Sequence, residues 1–469
     1  MPRVQEVCPL RHGSHLQSRR RFLKVATLGT AVSLIESSVP FGNTACQAKE
    51  TQASQANRTK YRFTTTDGKD PEISMILIYM QGGPSQWEMF NVGKNLRENS
   101  VFKTDPIPTS TDITVSPLLR RLKDQMHKFL IVQNLFHGED GHDQAAATVF
   151  TSNPHTVNEK IDSPGVESPP FLDFARFLTY QGSEDIGYVV LHNSDPYFIV
   201  NTSGEPAKAN GWDGPFRSSG CNDNETIYIP YRAGAYNFIN PFPKSFSVDT
   251  LTQELLDRME SYGHRFAGPS KERYEQARKK AERMINGDFN EAFDIYKEPK
   301  KIQYNYEGGD LGIEGFSQQL LLARRLVERG ARVVVVNDGD YDHHDLIEKN
   351  SKEIFPRFAK AVSALLEDLE RIDKKVVVAI FGEFGRHPEV NEYGGREHWP
   401  HAFSALFTGH GIKAPKVIGE IGKDYHIKGD ANKASDLPET LMRLLGIARY
   451  KEVAKNGILV PEDLSYIQL

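Results

Sequence analysis

Short, unbroken runs of apolar residues, rich in valine and isoleucine, predict the strands of a buried sheet. Such runs lack the alternation of a half-exposed strand and are typical of parallel sheets covered on both faces. They occupy residues 73–80, 129–132, 332–337 and 376–381. Two stretches with apolar residues at helical spacing, 316–328 and 355–372, precede the last two runs. This alternation predicts an α/β fold with a mostly parallel central sheet and helices on both faces.

The middle of the chain departs from this alternation. Residues 163–240 are rich in Pro, Gly, Asn and Tyr, and only 188–191 has the clear pattern of a strand. Residues 249–296 are rich in charged residues and alanine, which favours long surface helices. We therefore predict one α/β domain over 67–469 with an insertion or cap at about 163–310. A separate subdomain in that region is the alternative.

The N-terminal segment has the pattern of a twin-arginine export signal. Ser18 begins the basic sequence SRRRFLK, and an apolar run follows at 25–35. That run is too short for a membrane span, which needs about 20 residues. The pattern predicts a signal peptide over 1–48, a polar leader over 49–66, passage through the twin-arginine export machinery and a periplasmic location. A basic N-terminal helix of a cytosolic protein is the alternative.

Cys46 adds a second possibility at the end of this segment. It follows the small residues of the sequence NTA, as in lipoproteins, but the usual aliphatic residue upstream is missing. Cleavage after Ala45 or Ala48 and lipid anchoring through Cys46 are therefore both open. Cys221 is the only cysteine after the leader, so no internal disulfide framework is expected.

Composition narrows the class of partner. The 469 residues include 57 Lys and Arg against 62 Asp and Glu, which gives a formal net charge of −5. This balance lacks the basic footprint of a nucleic-acid-binding protein, so no nucleic-acid partner is expected. No other long apolar run is present, and we expect no transmembrane segment in the mature chain.

Clusters of acidic, histidine and glycine residues follow the predicted strands. They lie at 81–88, 137–143, 338–344, 382–387 and 395–401. Because ligands collect at the carboxyl ends of parallel strands, we expect the clusters to meet at one edge of the sheet. Asp342 and His344 can present a carboxylate and an imidazole to one ion. A single histidine is more often a surface or hydrogen-bonded residue, but the combined set favours a divalent metal ion, with Zn, Ca, Mg and Mn all open.

Other residues in these clusters are candidates for binding an anion. Arg386 and Arg396 suit an oxyanion such as phosphate or sulfate, since a guanidinium binds two oxygens at once. Ion pairs with neighbouring glutamates are the alternative. The glycines at 82–83 would let backbone N–H groups approach an anion, and Ser85 lies in the same turn. Ser85 and Arg396 are therefore predicted to bind substrate, although a tight strand-to-helix turn explains the first cluster equally well.

Four blocks of this chain resemble the signature sequences of a bacterial family of unknown function that is exported through the twin-arginine pathway. The blocks are GGPSQ at 82–86, YDHH at 341–344, GEFGR at 382–386 and GREHWP at 395–400. That family is related to sulfatases and belongs to the alkaline phosphatase-like superfamily. The resemblance implies an alkaline phosphatase/sulfatase-like fold that holds one or two divalent ions at the sheet edge and hydrolyses phosphate or sulfate esters.

Within this resemblance, Asp342, His344, Glu383 and His398 take the positions of the superfamily's metal ligands. Other positions depart from the pattern. The first strand is followed by Gln81, where the superfamily usually has an aspartate. No Cys-x-Pro-x-Arg block occurs after the signal, so a formylglycine sulfatase is disfavoured.

When the Thr-Gly pair of the sulfatase signature is aligned on residues 151–152, His142 takes the place of the sulfatase nucleophile. It can act as a further ligand, a general base or a nucleophile, and Ser85 and Thr148 are further nucleophile candidates. We predict an exported, metal-dependent hydrolase in which His142 is the base and Arg386 binds the anion of a small-molecule or glycan ester. The alternatives are a non-catalytic cell-envelope binding or scaffold protein that retains the fold, and a protein whose metal site is purely structural.

Overall fold

The computed structural model describes residues 73–90, 100–103, 105–151, 188–192, 208–209, 212–213, 226–230, 291–306, 315–422 and 425–445. All of these residues belong to one compact unit, which comprises 45–240 and 288–469. The signal peptide at 1–48, the leader at 49–66, Cys46 and Cys221 lie outside the described residues. The surface helices predicted over 249–296 also lie outside them except for 291–296, and the insertion at 163–310 stays a prediction.

A nine-stranded sheet forms the centre of the described residues. In chain order its strands are β1 Ile73–Met80, β2 Leu130–Phe136, β3 Tyr188–His192, β4 Thr226–Pro230, β5 Val333–Asp338, β6 Lys375–Phe381, β7 Phe403–Gly409, β8 Lys416–Ile418 and β9 Asn432–Lys433. Across the sheet the order is β8-β2-β7-β6-β1-β5-β3-β4, and β9 pairs with β2.

The sheet is mostly parallel, as the unbroken apolar runs predict. β1 lies between β6 and β5, where Met75 pairs with Val377 on one side and Val333 on the other. Every residue of β1 after Ile73 is buried, because helices cover both faces of the strand. The predicted α/β class with a mostly parallel central sheet is confirmed.

Strand β7 is the exception, because it pairs antiparallel with both β6 and β2. The residues that precede β7 therefore lie at the edge where β2, β5 and β6 end. The backbone shows this directly, since the N–H of His137 after β2 donates to the carbonyl of Pro400 before β7 at 3.0 Å. The reversal brings the cluster at 395–401 to the same edge as the other clusters.

Helices pack on both faces of the sheet. The α-helices among the described residues are α1 His142–Thr151, α2 Lys300–Tyr306, α3 Gly315–Glu328, α4 Ile347–Leu369 and α5 Leu437–Leu444. On one face Leu77 and Tyr79 share a core cluster with Ala146 of α1 and Leu441 of α5. α3 packs against β1, β3 and β5. None of the helices in the described part of the chain is both long and apolar enough to cross a bilayer.

Shorter segments complete the described part. The 3₁₀ helices are Pro117–Lys128, Ile295–Lys297 and Ala434–Asp436. The two-residue strands are Ile107–Pro108, Thr114–Val115, Lys208–Ala209, Trp212–Asp213, Gly385–Arg386, His398–Trp399, Glu420–Ile421 and Ile427–Lys428. One of these pairs positions the site, because Gly385–Arg386 pairs antiparallel with His398–Trp399.

Candidate metal centre

Loops at one edge of the sheet bring five predicted site residues together. Asp342 and His344 follow β5, and Glu383 follows β6. His142 is the first residue of α1, which follows β2, and His398 precedes β7. The strands are fixed by their buried apolar residues, so the edge is a rigid frame from which these loops project.

Three potential ligand atoms form a compact triangle. The Nε2 atom of His344 lies 3.0 Å from Oδ1 of Asp342 and 3.0 Å from Nε2 of His398. The third side, between Nε2 of His398 and Oδ1 of Asp342, measures 3.3 Å. Oxygen and nitrogen ligands at about 2.1 Å from a tetrahedral ion lie about 3.4 Å apart. The three atoms are therefore close to the spacing at which one ion can bind all of them.

His142 approaches the same carboxylate from another side. Its Nε2 atom lies 3.2 Å from Oδ2 of Asp342, and its Nδ1 atom lies 2.8 Å from Oε1 of Glu383. Burial of this imidazole lowers its pKa, but the hydrogen bonds with Asp342 and Glu383 outweigh that effect and raise the pKa to about 9. The two carboxylates therefore favour the protonated, positively charged form of the His142 imidazole.

All three imidazoles are oriented in the same way. An oxygen faces each Nδ1 atom: the Glu383 carboxylate for His142, Oε2 of Glu397 for His344 at 2.9 Å, and the carbonyl of Asp140 for His398 at 2.5 Å. Because each of these oxygens accepts, each Nδ1 carries a hydrogen. In the neutral form of each imidazole, Nε2 is then the atom that can bind a cation. The three Nε2 atoms surround the Asp342 carboxylate at 3.0–3.3 Å. Sequence reasoning missed Glu397 and Asp140 as orienting groups.

Asp342 is the charge at the centre of this arrangement. Its own burial raises the pKa of the carboxyl, but contacts with His142, His398 and Arg386 outweigh that effect and hold the pKa well below its usual range. The group is therefore a carboxylate at neutral pH. A carboxylate surrounded by Nε2 atoms is a donor set suited to Zn²⁺ or another borderline divalent ion.

Glu383 is fully buried beside this cluster. Oε1 accepts a hydrogen bond from the Gly82 N–H at 2.8 Å and faces His142, whereas Oε2 has no hydrogen-bond partner among the described residues. The Glu383 carbonyl accepts from Nε2 of His137 at 2.6 Å, which fixes the loop. A buried carboxylate oxygen without a partner is costly, and a cation is one way to satisfy it. The residues present therefore fit a divalent ion.

Arg386 touches the cluster, but from a fully buried position. Its guanidinium pairs with Asp342 and donates to the backbone carbonyls of Gly82, Gly83 and Arg396. The ion-pair alternative thus holds for Arg386, with Asp342 rather than a glutamate as the partner. In this arrangement its N–H groups face protein oxygens, not a space that a substrate anion could enter.

The predicted substrate-binding residues Ser85 and Arg396 are not brought to the cluster. Arg396 is fully buried, pairs with Glu88 at 2.9 Å and donates to the carbonyl of Pro388. Ser85 is buried and donates to the same Glu88 carboxylate. Thr148, the other hydroxyl candidate, donates to the carbonyl of Gln144 within α1 at 2.9 Å. Ser85 and Arg396 lie in polar stretches, so their burial has no signature in the sequence.

The glycine block after β1 supports the ligand loops. Gly82 has φ of +107°, and a Cβ atom there would collide with the backbone of Asp342. Gln86 binds both backbone groups of Arg386, accepting from its N–H at 2.7 Å and donating to its carbonyl at 3.1 Å. The Trp87 indole donates to the same carbonyl at 2.6 Å. The block therefore connects the loop of Asp342 to the loop of Arg386.

Comparisons with known proteins give distant structural similarities. No curated protein matches the chain. Similar solved structures include the C-terminal periplasmic domain of EptC from Escherichia coli (10% identity, 82% of this chain and 85% of that chain, TM-score 0.37) and a protein in the alkaline phosphatase superfamily from Vibrio parahaemolyticus (9% identity, 89% and 75%, TM-score 0.37). A third is the lipoteichoic acid synthase LtaP from Listeria monocytogenes (12% identity, 84% and 78%, TM-score 0.34). With TM-scores this low, the similarities carry no inference about the chemistry of this chain.

The family assignment comes from the sequence. Residues 72–458 match the family described as "Protein of unknown function (DUF1501)", and this match includes every strand of the sheet and every residue of the cluster. The chain therefore belongs to the DUF1501 family.

Proposed function

We propose that this protein is an exported, metal-dependent hydrolase of phosphate or sulfate esters with an alkaline phosphatase-like site. One observation carries the proposal: three imidazoles, each oriented through Nδ1 by an oxygen, direct Nε2 toward the carboxylate of Asp342 within 3.0–3.3 Å. Metal-ligating histidines show this arrangement, since a hydrogen bond at the second nitrogen fixes the tautomer and the direction of the ring.

Asp342, His344 and His398 would hold the ion. Glu383 is linked to them through His142, since its Oε1 lies 2.8 Å from Nδ1 of that imidazole. A divalent ion bound there supplies a Lewis acid for an ester oxygen and lowers the pKa of a bound water. Neither Ser85 nor Thr148 can supply a hydroxyl nucleophile, because both hydroxyls are bonded elsewhere. This arrangement favours attack by water over a covalent seryl or threonyl intermediate.

His142 is the residue placed to handle a proton. Glu383 holds its Nδ1 atom, so Nε2 is the nitrogen that faces the cluster. With a carboxylate on Nδ1, Nε2, which lies 3.2 Å from Oδ2 of Asp342, is the nitrogen that would take a proton from a nucleophile and return it to a leaving group. We assign His142 the role of base that its position in the sequence predicts. Because its pKa is raised to about 9, its base form prevails only above that pH.

The anion of the ester would bind through the ion rather than through arginine. Both Arg386 and Arg396 are buried and paired with carboxylates. Exposed acidic residues lie on the surrounding loops, among them Asp140, Asp345 and Glu397. The proposal includes export through the twin-arginine pathway to the periplasm, with lipid anchoring at Cys46 as an alternative. This part of the proposal rests on the sequence pattern alone.

Metal analysis combined with an ester screen tests the proposal. We expect purified protein to retain a divalent ion and to hydrolyse at least one of an aryl phosphate, a phosphodiester and an aryl sulfate. His344→Ala and His398→Ala should lose both properties, because each removes one vertex of the triangle. His410→Ala is the matched control. His410 is exposed and follows β7 at the opposite edge of the sheet, where its backbone N–H donates to the carbonyl of Val376 at 2.8 Å.

Two outcomes would contradict the proposal in different ways. A folded wild-type protein that binds none of Zn²⁺, Mn²⁺, Mg²⁺ and Ca²⁺ would favour a non-catalytic binding or scaffold protein. An ion that is bound tightly without turnover of any ester would favour a structural metal site.

A further inference from the structure

The guanidinium of Arg386 forms hydrogen bonds with several loops of the metal centre. Its Nε donates to the carbonyl of Gly83 at 2.8 Å and its Nη1 to the carbonyl of Arg396 at 3.0 Å. Its Nη2 donates to the carbonyl of Gly82 and to Oδ1 of Asp342. Nη2 also donates to the carbonyl of Tyr341 at 3.4 Å, so the guanidinium directs its donors to four backbone carbonyls and one carboxylate, all within the protein.

We propose that Arg386 is a positioning residue that fixes Asp342 for metal binding and binds no substrate anion. The inference rests on the proposed function only in requiring a cation at Asp342. It assigns to the GEFGR block a task that differs from the anion binding expected from sequence.

The anchoring of Arg386 supports this role. Gln86 and Trp87 hold its backbone N–H and carbonyl, and its two-residue strand pairs with the strand that carries His398. Its guanidinium is therefore fixed relative to one ligand while it contacts another. Asp342 needs such a contact, because its side chain is 37% exposed and lies on a loop. An aspartate in that setting otherwise samples several rotamers and loses entropy on binding an ion.

The contact with Arg386 also distinguishes the two carboxylate oxygens of Asp342. Arg386 lies on the Oδ1 side of Asp342, the oxygen that His344 and His398 approach, whereas His142 lies on the Oδ2 side. The plane of the carboxylate is thus held from one side by a planar cation and from the other by an imidazole. A lysine in place of Arg386 keeps the charge but cannot reach Asp342 and four carbonyls at once, since it lacks the forked donor geometry.

Arg396 provides a matched comparison within the same chain. It is also fully buried, it also pairs with one carboxylate, and it also donates to backbone carbonyls. Its carboxylate is Glu88, which contacts Ser85 and the backbone of Val101 rather than a metal ligand. Loss of the arginine fork at 386 and at 396 should therefore cost stability in both cases but metal affinity in only one.

The test measures the dissociation constants of Zn²⁺ and Mn²⁺ alone by calorimetry, together with the urea midpoint, for wild type, Arg386→Lys and Arg396→Lys. We expect both variants to unfold at lower urea. Arg386→Lys should raise the dissociation constant of the ion by about 10- to 100-fold, as is typical when a group that orients a ligand is removed. Arg396→Lys should leave it unchanged. If Arg386→Lys does not unfold cooperatively, Arg386→Gln, which keeps an amide donor, replaces it.

A double-mutant cycle separates positioning from general support of the fold. If Arg386 acts through Asp342, then Arg386→Lys in an Asp342→Ala background should cause no further loss of metal affinity. Equal losses in both backgrounds, or equal losses in Arg386→Lys and Arg396→Lys, would overturn the inference alone. A wild-type protein that binds neither ion would overturn the inference together with the proposed function.

Discussion

His142, His398 and His344 form a series of increasing exposure at one carboxylate, with 10%, 18% and 42% of each side chain accessible. The most exposed of them is also the one oriented by an exposed group, since Glu397 holds Nδ1 of His344 and is itself 59% accessible. Exposed pairs are weakened by solvent and salt. His344 is therefore the ligand whose orientation depends most on a contact that solvent can replace.

Glu397→Gln tests this orienting contact. The amide can still accept from Nδ1 of His344 but no longer favours the imidazole electrostatically, so we expect the dissociation constant of Zn²⁺ to rise by about 10-fold, the low end for an orienting partner. Calorimetry measures the change. Glu392→Gln is the control, because Glu392 is exposed on the same loop and forms no hydrogen bond or ion pair with a histidine of the described residues. Equal effects of the two variants would show that the loop charge matters, not the contact.

The residues of the cluster could be predicted from sequence because each follows or precedes an apolar strand. That rule places Asp342, Glu383 and His142 at one edge without any knowledge of the loops. Which arginine faces solvent cannot be deduced in this way. Arg386 and Arg396 occur in polar stretches, and their burial depends on Asp342 and Glu88 arriving from distant parts of the chain.

At the scale of elements, the turn after β1 controls how closely two loops approach. Gly82 has a positive φ of 107° and donates its N–H to Glu383. The backbone of Asp342 occupies the space that a Cβ atom on residue 82 would need. The turn therefore links the conformation of one strand end to the position of ligands on two others. Its glycine is required twice, for backbone conformation and for space.

Gly82→Ala is expected to lower the free energy of unfolding by about 1–3 kcal/mol from backbone strain, with an additional loss from the collision. It should also lower metal affinity, because Asp342 must move. Gly411→Ala is the control for strain alone: Gly411 has φ of +76°, but a Cβ there meets no atom within 4 Å. Urea unfolding and calorimetry with Zn²⁺ measure the two quantities. If Gly411→Ala lowers metal affinity as much, the collision is not the cause.

The accuracy of predicted element boundaries followed the local strength of the signal. β1 begins and ends where its apolar run does, at Ile73 and Met80. Helix α4 begins at Ile347, whereas the pattern placed its start at 355. Pro356 explains the difference. Proline is favourable in the first turn of a helix and unfavourable further inside, so a start at 355 fits the sequence, whereas the observed helix continues through Pro356. The antiparallel direction of β7 has no local signature and depends on pairing with β2 and β6.

For the whole molecule, charge is the property that connects fold and function. The formal net charge is −5, and the described loops around Asp342 expose acidic residues while Arg386 and Arg396 are buried in ion pairs. Without an ion, this edge of the sheet repels an anion. The overall α/β class follows from apolar periodicity, but this local field does not, because it depends on which charges the fold neutralises.

Inorganic phosphate should therefore bind only when a divalent ion is present. We expect no measurable binding to protein that was treated with a chelator and dialysed, and binding at one site after Zn²⁺ is restored. Among the described residues around Asp342, Arg386 and Arg396 are buried in ion pairs, so the ion would supply the positive charge that a substrate reaches. Calorimetry with phosphate measures both states, and His410→Ala should match wild type since its substitution lies at the opposite edge. His398→Ala should bind no phosphate even with Zn²⁺ present. Equal phosphate binding with and without the ion would show that cationic groups away from Asp342 bind the anion, and would contradict the assignment of this edge as the ester-binding site.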